Sequence, residues 1–73
     1  MLTYVVAANR GQFLDYCRMA NLHPAAARLV RSPADLAGVD VARNRVVLYG
    51  EYAELPEIVE LLELVFGAER AAA

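Results

Sequence analysis

The chain has 73 residues and a net charge of −2, so it makes one small domain with a thin core. With one cysteine (Cys17) and one histidine (His23), it has no intrachain disulfide and no zinc-type ligand spacing to brace that core. Its apolar runs fall far short of the roughly 20 residues that span a membrane, which excludes a membrane helix.

Residues 2–8, LTYVVAA, predict a first strand. Leu2, Tyr4, Val6 and Ala8 point to one side and Thr3, Val5 and Ala7 to the other, and both sides are largely apolar. That pattern belongs to a central strand covered on both faces. Asn9 follows as an N-cap, and a helix is predicted over about 10–21. Phe13, Leu14, Tyr16, Cys17 and Ala20 share its apolar face; Gly11, Gln12, Asp15 and Arg18 lie opposite. Pro24 ends it.

The segment AAARLVRS reads as a turn and a second strand over 28–31. In SPADLAGV, Ser32 is a cap, Pro33 takes the first helical position, Asp35 lies three residues after the cap, and Gly38 suits a left-handed stop. RVVLYG is the third strand. A second long helix is predicted from Pro56 to Phe66, stopping at Gly67. Its apolar arc is Ile58, Val59, Leu61, Leu62, Val65 and Phe66; Glu57, Glu60 and Glu63 form the opposite stripe, with Leu64 among them. Residues 1–66 therefore read as a single α/β domain and 67–73 as a C-terminal tail. The fold expected is a minimal Rossmann-like α/β unit: a three-stranded parallel sheet of order 2-1-3, two main helices and one short one.

In such a sheet, ligands bind beyond the carboxyl ends of the strands where the strand order reverses. Here that crevice lies between strands 1 and 3, bordered by Asn9, Arg10, Gly50, Glu51 and Tyr52. A nucleotide or phosphometabolite is the ligand class that position suits. The turn AANRGQF, however, has one glycine and no lysine, and so matches neither the phosphate-binding loop nor the three-glycine dinucleotide fingerprint. No cofactor is expected, and no catalytic residue is assigned. Cys17 sits on an apolar helix face, as a small core residue does.

Charge is uneven along the chain. Residues 1–45 hold six arginines and three aspartates, net +3; residues 46–73 hold six glutamates and one arginine, net −5. Arg28, Arg31, Arg43 and Arg45 could form a basic edge, but the acidic total and the absence of a recognised motif argue against nucleic acid as the partner. Self-association is favoured instead. Were both long helices on one sheet face, the other would stay apolar and open, and Tyr49, Tyr52 and Leu64 are candidates for a homodimer interface. The lone thiol and the absence of a basic segment at the start point to the cytoplasm.

The segments YVVAANRGQFLDYCR, SPADLAGV and VVLYGEY, in that order and in an Arg/Ala-rich chain, resemble the small α/β proteins of unknown function encoded by phages of actinobacteria. The likeness covers residues 3–62. The same string is similar to a reduced P-loop ATPase or helicase core, but lacks its Gly-Lys-Ser/Thr run and carries one carboxylate in YGEY where that family has an Asp-Glu pair. The resemblance implies a Rossmann-like remnant that acts on a host protein in the bacterial cytoplasm without enzymatic activity.

Overall fold

Three short parallel strands form the centre of the molecule: β1 (Thr3–Val6), β2 (Ala27–Val30) and β3 (Arg45–Leu48), in spatial order β2-β1-β3. The computed structural model describes the backbone of residues 2–72 and the side chains of residues 2–67. Val5 lies opposite Leu29 on one side and Val47 on the other; Val6 lies opposite Val30 and Leu48. Val5 and Val6 are both fully buried, as the two apolar faces of this strand require.

The helices α1 (Arg10–Met19) and α2 (Ile58–Ala72) lie on opposite faces of the sheet. Phe13, Tyr16 and Cys17 of α1 pack on Val5, Ala7 and Ala27. Leu61 and Val65 of α2 pack with Leu36 and Leu55 on Val6 and Val30. The reason is topological. The β1–β2 connection, which carries α1, and the β2–β3 connection, which carries Leu36, run in opposite directions across the sheet, and connections of one hand that do so fall on opposite faces. α2 follows β3 and packs on the face of Leu36. Both faces are therefore covered, and the open sheet face considered as the basis of a homodimer is not present.

The connections are mostly 3-10 turns at Pro24–Ala26, Pro33–Leu36 and Tyr52–Glu54. The short helix expected after Ser32 is the second of these. The Asp35 carboxylate reaches back to accept from the backbone N–H of Ser32 (3.2 Å) and of Arg31 (2.8 Å). The Ser32 amide, the next after Val30 to face β1, is thus taken by Asp35, and β2 spans Ala27–Val30, one residue earlier than expected. Gly38 has the left-handed φ of +76° anticipated for a stop.

The expected end of the second long helix is corrected. α2 begins at Ile58, after a turn through Pro56 and Glu57, and its backbone stays helical through Gly67 to Ala72. One glycine costs a helix interior about 1 kcal/mol. The helical residues that follow, AERAA, are among the best helix formers, and they offset it.

Candidate functional site

The carboxyl ends of β1 and β3 lie side by side, and the Tyr49 N–H extends their pairing by donating to the Val6 carbonyl (3.0 Å). Beyond β1 the chain passes Ala7 and Ala8 to Asn9, whose extended backbone (φ −154°, ψ 171°) and side chain cap α1. Asn9 Oδ1 accepts from the Gln12 N–H at 2.9 Å, as the sequence predicts for an N-cap. Beyond β3 the chain turns at Gly50, with φ +63°, a region other residues rarely adopt. The turn aims the Glu51 N–H back toward the start of α1.

One side chain fills the junction: Gln12. Its Oε1 accepts from the backbone N–H of Glu51 (3.0 Å) and, more weakly, of Ala8 (3.4 Å). Its Nε2 donates to Glu51 Oε1 at 2.9 Å. A phosphate or carboxylate oxygen bound at this switch point would take the same two amides. Here the chain supplies that oxygen itself, as a neutral carboxamide, with a carboxylate beside it. Gly50 is required twice over. A Cβ there would lie 2.5 Å from Gln12 Oε1, closer than van der Waals contact permits, and its φ is left-handed.

Of the five residues expected to border the crevice, three meet at Gln12. Asn9 caps it, Gly50 makes room for it, and Glu51 bonds both ends of its carboxamide. Arg10 is exposed at the start of α1 and takes part in no ion pair among the described residues. Tyr52 is half-buried against the α2-side core. Helical periodicity puts Gln12 on the solvent side of α1. The signal that marks it is the spacing Asn9-x-x-Gln12, a capping-box pattern in which the third helical residue reaches back over the cap.

At the mouth of the crevice, Glu54 lies beside Glu51. The hydrogen bond that a protonated Glu54 donates to the Glu51 carboxylate, and the repulsion of the Glu51 charge, push the Glu54 carboxyl above the usual carboxylate value.

The residues considered for an interface are dispersed. Tyr49 packs on the α1 side, its ring edge-on to Tyr16 with centroids 5.4 Å apart; Tyr52 belongs to the α2-side core; Leu64 is exposed on α2. An open depression of about 360 Å³ at the far end of α1 is lined by Cys17, Arg18, Asn21, Leu22 and His23. Cys17 is buried there as a core residue. His23 Nδ1 is committed to the Ala25 N–H at 3.0 Å, which fixes a ring that the sequence left without a partner.

Among the described residues, no three His, Cys, Asp or Glu side chains are grouped to hold a metal ion, and no helix is long and apolar enough to cross a membrane. No family model, curated protein or solved structure matches this chain.

Proposed function

We propose that this chain is a non-enzymatic protein-interaction module, acting on a host protein in the bacterial cytoplasm as the resemblance to phage proteins implies. The observation that supports it most is the filled crevice: the position where an α/β fold receives a small ligand holds the chain's own Gln12. Contact surface is available elsewhere, because Met19, Val59, Leu64 and Phe66 remain exposed.

The test is photo-cross-linking in cells, with a photoreactive residue placed in turn at Met19, Val59 and Phe66. The reading expects a discrete protein adduct from one surface. It fails if no position gives an adduct while nucleotides raise the melting temperature of the purified chain.

The alternative is a nucleotide or phosphometabolite that displaces Gln12. It is favoured by one feature, the convergence of the Ala8 and Glu51 amides on a single acceptor. Glu51 counts against it, since its carboxylate lies beside that acceptor. A thermal-shift series with nucleotides separates the two readings.

A further inference from the structure

We propose that the outward side of α2 docks a cationic amphipathic helix of another protein. This deepens the interaction reading above and rests on it.

Among the described residues, three of the four exposed large apolar side chains lie on this one helix: Val59 at 66% exposure, Leu64 at 44% and Phe66 at 41%. Val59 and Phe66 are two turns apart and so share a line along the helix, within about 20°. Leu62, half-buried, lies beside that line, three residues after Val59. On its other side come exposed Glu63 and Glu60, then Leu64 and Glu57. The solvent side of α2 is thus an apolar ridge bordered by carboxylates.

Among the described residues, those carboxylates have no ion-pair partner. The ion pairs among the described residues are Asp15–Arg18 and Asp40–Arg43, both local and both far from α2 in sequence. The chemistry that complements the ridge is an apolar stripe at i, i+3 and i+7 flanked by lysine or arginine. A second copy does not supply it. Two α2 faces packed together would set six carboxylates against one another. Nor do the arginines form one surface: Arg10 starts α1, Arg28 and Arg45 sit on opposite edge strands, and Arg28 is turned onto the carbonyls of Ala25 and Ala27.

The probe is a labelled amphipathic helix of leucine and lysine, followed by fluorescence anisotropy. Its controls are the same composition scrambled to remove the stripe, and a leucine–glutamate helix. The proposal expects the leucine–lysine helix to bind about tenfold more tightly than either control, with an affinity that falls as salt rises. Val59→Ser and Phe66→Ser should each weaken it about tenfold, and Glu60→Lys with Glu63→Lys should weaken it most at low salt. These positions are exposed, and a thermal melt of each variant checks that it folds. Equal binding of the scrambled peptide overturns the proposal, as does binding that the four substitutions leave unchanged, or no binding. So does self-association in sedimentation that Val59→Ser and Phe66→Ser abolish, which would make a second copy the occupant. Cross-linked adducts from Met19 alone would overturn this proposal and leave the interaction reading standing; the absence of adducts at every position would count against that reading itself.

Discussion

Gln12 and Glu51, 39 residues apart, bond through both ends of one carboxamide: Gln12 Oε1 accepts from the Glu51 amide at 3.0 Å and Gln12 Nε2 donates to the Glu51 carboxylate at 2.9 Å. The pair ties the start of α1 to the end of β3 across the switch point of the sheet.

Gln12→Ala removes these bonds and leaves two strand-end amides to water. Each net hydrogen bond is worth about 0.5–1.5 kcal/mol, so the loss should be about 1–2 kcal/mol, read by chemical denaturation. Gln12→Glu should be worse than Gln12→Ala near neutral pH. It deletes the donor and sets a carboxylate against Glu51. Its deficit should shrink in acid, where protonation restores a donor.

Gly50→Ala should cost about 1–3 kcal/mol, from left-handed strain and from the clash with Gln12. The two sources separate in a double-mutant cycle. In the Gln12→Ala background the clash is gone and the strain persists, so the penalty should fall without vanishing.

Leu61 and Val59, two residues apart on α2, should respond in opposite ways. Leu61 is fully buried, and Leu61→Ala should cost about 2–5 kcal/mol, enough to unfold much of a domain this small. Val59 is exposed, and Val59→Ala should change stability by no more than about 0.5 kcal/mol. A matched loss at both would show that α2 is seated otherwise.

Glu54 gives stability a small pH dependence. Its folded pKa lies above its ordinary value of 4.5, so the folded state holds the proton more tightly than the unfolded one. The associated stabilisation is present below that ordinary value and is lost as pH rises through the folded value. Glu54→Gln removes the repulsion from Glu51. It should therefore raise the melting temperature at neutral pH, and the gain should close as pH falls below 4.5. The effect is slight because Glu54 is exposed.

The architecture was legible where residues act through local pattern. Thr3–Val6 is apolar on both faces, which made it the central strand; Asn9 and the Ser32–Asp35 spacing marked their turns. Two features depended on more than pattern. Gly67 carries the signature of a helix stop, but the helix-forming residues after it outweigh one glycine. Gln12 falls on the polar side of α1, where a glutamine ordinarily meets water. Only the sheet order, which brings Glu51 beside Ala8, gives it a partner. The strand order places residues 9, 50 and 51 at one crevice, whereas the side chain that lies between them could not be named from it.

The central claim is that the chain itself closes the ligand position of its fold. Its most direct test is an NMR titration of ¹⁵N-labelled protein with ATP, NAD and inorganic phosphate, following the backbone amides of Ala8 and Glu51. The account predicts that both resonances stay fixed into the millimolar range. A saturable shift of these two amides would contradict it.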